Sequence, residues 1–119
     1  MKLLTVKIQG QELTADLLNP EIAKKFEDGY DAALKCFVEA QGITPGSEGI
    51  RRQCQAVIDY VTDIFGETGA RKVFGAETDL LTCLEVMEEM QNVYPDQVTP
   101  VLQKKTEKWI KIGEEGEKP

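Results

Sequence analysis

Leu4-Thr5-Val6-Lys7-Ile8-Gln9-Gly10-Gln11-Glu12-Leu13-Thr14-Ala15-Asp16-Leu17-Leu18-Asn19-Pro20-Glu21 carries two structural signals and the switch between them. Leu4, Val6 and Ile8 recur with a period of two, and after Gln9-Gly10 the same period returns in Leu13, Ala15 and Leu17. That alternation predicts a β-hairpin over residues 2–18 with one buried face, Gly10 supplying a positive φ in the turn. A lone hairpin is marginal in water, so its apolar face needs helices to cover it. Asn19-Pro20-Glu21 then reads as a helix start: a capping side chain, a proline in the first turn and an acid near the positive end of the dipole.

Beyond this point the apolar period lengthens to that of a helix. Ile22, Phe26, Tyr30, Ala33, Leu34 and Phe37 place a helix at about 20–41, in which Gly29 either weakens the helix or admits another backbone. Gly42-Ile43-Thr44-Pro45-Gly46 ends it. With Ser47 or a neighbour as cap, Ile50, Cys54, Val57, Ile58, Val61, Ile64 and Phe65 form a second stripe at 47–65, stopped by Gly66. A short helix is expected at 68–74, closed by Gly75. Another is expected at 79–94, with Leu80, Cys83, Leu84, Met87, Met90 and Tyr94 on one side.

Pro95 and Pro100 interrupt the pattern, and Thr99-Pro100 reads as a new cap and first turn. A last helix at 100–112 would turn Val101, Leu102, Lys105, Trp109 and Ile112 inward, Lys105 by its methylene stem. The fold class expected is therefore helix-rich α+β, an N-terminal hairpin packed on a bundle of four to five helices. It forms one domain over 1–113, with 114–119 a flexible tail.

Composition narrows the function classes. At 119 residues a second independent core is not expected. No apolar run approaches the length needed to span a bilayer, and the N-terminus lacks the features of a signal peptide. Cys36, Cys54 and Cys83 are odd in number and far apart, none in a Cys-x-x-Cys pair, and the chain has no His. A zinc site is not expected on that donor set, and unpaired thiols fit a reducing cytoplasm. A net charge of −7 argues against direct contact with nucleic acid or an anionic membrane, and permits a basic protein partner or mimicry of nucleic acid. Without His, the commonest general base and the Ser-His-Asp and Cys-His arrangements are missing, so neither an enzyme nor a cofactor is expected.

Gly66-Glu67-Thr68-Gly69-Ala70-Arg71-Lys72-Val73-Phe74-Gly75 gathers glycines and bases without forming a phosphate loop. Ala70 stands where such a loop requires Lys, and a helix precedes it where a strand is required. Its glycines read as helix ends and a tight contact; Arg71 and Lys72 remain as a small basic contact patch.

Charge is unevenly spread. Residues 76–99 hold six acids (Glu77, Asp79, Glu85, Glu88, Glu89 and Asp96) and no base, and Lys104, Lys105, Lys108 and Lys111 come directly after. Either an acidic helix lies antiparallel to a basic one and each satisfies the other, or the two form a bipolar surface that orients the protein on a partner or on another copy of itself. Trp109, the single tryptophan, reads first as core and second as an anchor for another chain. The candidate partner-binding residues are Trp109, Lys104, Lys108, Glu85, Glu88, Glu89, Arg71 and Lys72.

Three stretches carry a resemblance. They are the hairpin leading into Asn19-Pro20-Glu21; Ile50-Arg51-Arg52-Gln53-Cys54-Gln55-Ala56-Val57; and Phe65-Gly66-Glu67, Ala70, Lys72-Val73-Phe74-Gly75 with Thr78-Asp79-Leu80-Leu81-Thr82-Cys83-Leu84. Over roughly residues 2–95 the chain resembles small prophage proteins of Gram-positive bacteria that are similar to phage tail assembly chaperones. The resemblance implies a cytoplasmic protein that coats the tape measure or holds tail-tube subunits until assembly. It carries over no binding residue. The chaperone reading predicts an exposed amphipathic strip on the last helix or the hairpin edge. The competing reading, a phage inhibitor of a host protein acting as an acidic nucleic-acid mimic, predicts a phosphate-like array of carboxylates at 77–96.

Overall fold

The computed structural model describes residues 1–42 and 46–116. Strands β1 (Leu4–Ile8) and β2 (Gln11–Ala15) pair antiparallel with Val6 opposite Leu13, as the alternation requires. Gln9 and Gly10 both take positive φ, 53° and 73°, the signature of the tight turn that matches strand twist. Val6, Ile8, Leu13, Ala15 and Leu17 are buried, so one hairpin face enters the core.

Helix α1 (Pro20–Ala40) begins where the capping residues place it: the Asn19 side chain accepts the Glu21 N–H at 2.9 Å. It buries Phe26, Ala33 and Ala40. Gly29 is the close-approach glycine: a Cβ there would lie 2.5 Å from the Tyr60 ring. Tyr60 in turn donates to the Phe26 carbonyl at 2.8 Å and meets the Phe26 ring edge-on. The expected break at 42–46 and the Ser47 cap fall largely on residues 43–45, outside the described residues.

Helix α2 (Gly46–Phe74) contains one non-helical residue, Gly66, at φ 81° and ψ 171°. The limb after it lies back along the limb before it, for Ala70, Arg71 and Phe74 share a cleft with Ile58, Asp59 and Thr62. Gly75, at φ 71°, closes the second limb. Asp79 then caps α3 (Leu80–Val93), its carboxylate accepting the Thr82 N–H at 2.7 Å. Cys83, Val86, Met87, Met90 and Val93 are buried, so the methionines are core; Leu84, expected inside, is exposed and Val86 and Val93 take the inner positions.

The end of the chain differs most from expectation. A π-helical segment (Tyr94–Val98), in which the Thr99 N–H bonds back to the Tyr94 carbonyl, joins α3 without a break to α4 (Thr99–Gly116). Thr99 is itself helical (φ −55°, ψ −42°), so it restarts nothing. A proline has no N–H to satisfy and clashes with the turn before it; the wider π turn accommodates Pro95, and Pro100 falls at the start of α4. Among the described residues the helices therefore form three runs, 20–40, 46–74 with its kink at Gly66, and 80–116, and not a bundle of four to five. The hairpin and helix-rich α+β class stand. The last helix continues through Gly116, four residues past its expected end, and residues 117–119 of the expected tail lie outside the described residues.

The third run is about 55 Å long at 1.5 Å per residue, more than the body it belongs to. The molecule accordingly measures 67 × 27 × 21 Å. Its radius of gyration is 17.6 Å, against about 13.5 Å for a compact chain of this size. None of the residues of α4 is buried. Among the described residues no helix is long and apolar enough to cross a membrane.

Candidate interaction surface

The stripe on α4 exists but does not face its own core. Val101 is 39% exposed, Leu102 42%, Ile112 51% and Trp109 65%. The inward orientation expected for these residues is overturned because α4 runs straight on from α3, past the last layer of the body. Trp109 is thus an exposed aromatic and not a core residue, with the Lys108 ammonium 5.5 Å from its ring centre. Lys104 and Lys108 are exposed on the same helix. About 100° of α4 surface therefore presents an apolar strip bordered along one side by the ammonium groups of Lys104 and Lys108.

The same straightness overturns the antiparallel pairing of acidic and basic helices. The two charge blocks lie end to end on one rod. The ion pairs among the described residues join Lys24 to Asp28, and Arg51 and Arg52 to Glu48; none links α3 to α4.

Glu85, Glu88 and Glu89 are brought together with Asp96 around a groove of about 460 Å³ beside the hairpin turn. They are not equivalent. Glu89 is half-buried and accepts from the Gln9 N–H at 3.1 Å and from Gln9 Nε2 at 2.8 Å, satisfying the strained turn. Glu85 only approaches Gln9 Nε2, at 3.5 Å, and Glu88 stays exposed. Nearby, the Gln97 side chain clamps Lys7 from both sides: its Oε1 accepts the Lys7 N–H at 2.7 Å and its Nε2 donates to the Lys7 carbonyl at 2.9 Å. An amide side chain thus stands in for a third strand at this point of β1, so the hairpin edge is partly occupied. Tyr94 adds a third latch, donating to the Leu17 carbonyl at 2.6 Å. Burial raises the Tyr94 and Tyr60 hydroxyls above the usual tyrosine range.

Arg71 and Lys72 lie on the second limb of α2, apart from both surfaces. Lys72 Nζ reaches the Glu12 carbonyl at 3.5 Å, and Arg71 borders the cleft of about 710 Å³ formed where α2 doubles back. The thiol of Cys83 is fully buried, and burial together with the neighbouring Cys54 pushes it up to about 12; Cys36 and Cys54 are half-buried. Among the described residues no group of three or more Cys, Asp or Glu side chains is placed to hold a metal ion.

Gln97 and the partner of Gln9 carry no signal in the sequence, and Tyr30 reads there only as part of the α1 stripe. Gln97 and Gln9 act through contacts some eighty to ninety positions apart. Tyr30 packs against the core and also borders an open groove of about 480 Å³ with Phe26, Glu27, Asp31, Gln91 and Tyr94.

Taken together, these features define a helix-rich α+β domain with a projecting amphipathic arm. The chain belongs to a family of unknown function (DUF6673), which matches residues 9–117 and so includes the arm as well as the body. No curated protein and no solved structure matches it.

Proposed function

We propose that the chain is a phage-encoded protein-binding protein, a tail assembly chaperone that works in the cytoplasm of the bacterial host and holds tape-measure or tail-tube subunits until assembly. One observation supports this reading above the others: α4 carries an apolar strip that includes an exposed tryptophan, and none of its residues is buried. An exposed amphipathic helix is what a groove in another protein, or another helix, recognises through residues spaced i, i+3, i+4 and i+7. Trp109 supplies the large anchor such contacts need, and Lys104 and Lys108 set their orientation. The phage setting comes from the resemblance of residues 2–95 to prophage proteins.

The alternative, a phage inhibitor of a host protein built as an acidic nucleic-acid mimic, draws on the carboxylates around the groove beside the hairpin turn. It is the weaker of the two. Glu89 is engaged by Gln9, which leaves Glu85, Glu88 and Asp96 as a short array.

Affinity capture from a phage-expressing lysate tests the proposal. The wild-type chain is expected to recover a tape-measure or tube protein, and Trp109→Ala to lose it. Recovery of no tail component, or equal recovery by the variant, rejects it. Recovery of a basic host protein, lost at high salt and on neutralising Glu85 and Glu88, favours the inhibitor.

A further inference from the structure

The molecule carries an unseated helix and, on the same chain, an unfilled helical groove. Helices α1 and α3 both pack on α2 and barely meet each other. The trough left between them is the one floored by Phe26, Tyr30 and Tyr94 and edged by Glu27 and Asp31. Ala23, Glu27, Tyr30 and Leu34 share one face of α1 by their 4-3-4 spacing, and Val38 extends it. Leu34 is 40% exposed and Val38 70%, so the apolar floor runs on along α1. No Lys or Arg lines this groove.

The chemistry of α4 is the complement of that trough. Its apolar stripe runs from Val101 to Ile112, about 16 Å at 1.5 Å per residue, the same length as Ala23 to Leu34 on α1. Lys104, Lys108 and Lys111 border one side of the stripe, and Glu27 and Asp31 edge the groove on its α1 side. Apolar surface would meet apolar surface, and ammonium groups would meet carboxylates that no ion pair among the described residues engages.

The arm cannot reach the groove of its own chain while the rod stays straight, and the rod is held straight. Gln97 is fastened to Lys7 by two hydrogen bonds, Tyr94 to Leu17, and Val98 is 1% exposed. Folding back at 94–100 would break all three. The arm does, however, leave the body at the Tyr94 end of the groove. Two copies set end to end therefore bring each arm to the mouth of the other's trough, an exchange with two-fold symmetry.

We propose that α4 of one copy seats between α1 and α3 of a second copy, completing a four-helix arrangement in each body. This does not rest on what the chain binds in the cell. A client that takes the strip on α4 would compete with the second copy, so self-association would shield Trp109 until a client displaces it.

Sedimentation of the purified full chain, with no client present, tests this. The wild-type chain is expected to associate reversibly, and more weakly as salt rises. Lys104→Glu with Lys108→Glu reverses the arm; Glu27→Lys with Asp31→Lys reverses the groove. Each variant alone is expected to dissociate about tenfold more readily or worse. An equal mixture should recover the wild-type association, because both of its contacts pair opposite charges again. All four positions are exposed; should the groove reversal still lower the helical circular dichroism, Glu27→Gln with Asp31→Asn reads the same contact with a smaller loss expected. A wild-type chain that stays single up to its solubility limit overturns the proposal and leaves the strip to a foreign protein. So does an association that the groove variants leave unchanged, which would place α4 against α4 or another face, and so does a mixture of folded variants that fails to recover.

Discussion

Helices α1 and α4 are alike in sequence and opposite in fate. Both are amphipathic, one 21 residues long and the other 18. α1 buries Phe26, Ala33 and Ala40 in the core and leaves Leu34 and Val38 open, whereas α4 buries no residue at all. The difference lies in the segments that flank each helix. α1 packs along α2 within the body, while α4 is preceded by a π segment that carries the chain onward past it. Periodicity announces that a stripe will be covered. It does not say by which chain.

If that contrast is right, substitutions should separate the two regions by the size of their effect on stability. Met90→Ala empties a fully buried site in the body and is expected to cost about 2–5 kcal/mol in urea unfolding. Gly29→Ala forces a Cβ into the Tyr60 ring and is expected to cost about 1–3 kcal/mol, despite alanine's better helix propensity. Trp109→Ala should sit at the other end of the scale, within about 0.5 kcal/mol when measured on dilute, single chains. A tryptophan cost comparable to that of Met90 would break the comparison.

Two further measurements sharpen it. Tyr60 is held protonated above its ordinary value of 10.0, first by burial, while in the unfolded chain it ionises near that value. A folded-state value raised in this way contributes stability that is complete below about pH 10 and is lost as the pH climbs above it. Tyr60→Phe should cost about 1 kcal/mol at neutral pH by losing the bond to Phe26, and should flatten the alkaline decline. An unchanged alkaline slope would remove Tyr60 as its cause. Thiol labelling of the native chain should leave Cys83 the last to react, because it is buried and its thiol is pushed up to about 12, whereas the half-buried Cys36 and Cys54 label sooner.

The same contrast explains what can be read in the sequence. The hairpin, its turn at Gly10, the Asn19 and Pro20 start and the ends at Gly66 and Gly75 depend on a few adjacent residues, so local chemistry shows them. Gly29 admits two readings by sequence, and the Tyr60 ring decides for close approach. The direction of the arm is hidden because Pro95 and Pro100 read as breaks, and a single π segment absorbs them. The latches of Gln97 on Lys7 and Glu89 on Gln9 are not legible at all, since polar side chains at distant positions have no periodicity to betray a partner. Of the proposed surface, the strip residues are legible as a stripe and the lysines as a block. Which way they face is set by tertiary geometry.

Trp109 is the only tryptophan in the chain and belongs to the strip, so its fluorescence reads the central claim directly. In protein diluted until sedimentation shows single chains, its emission should be water-like and readily quenched by acrylamide, and should shift blue and become shielded as the concentration rises. Emission that is already blue and shielded in single chains would mean that α4 is covered by its own body, and would contradict the account.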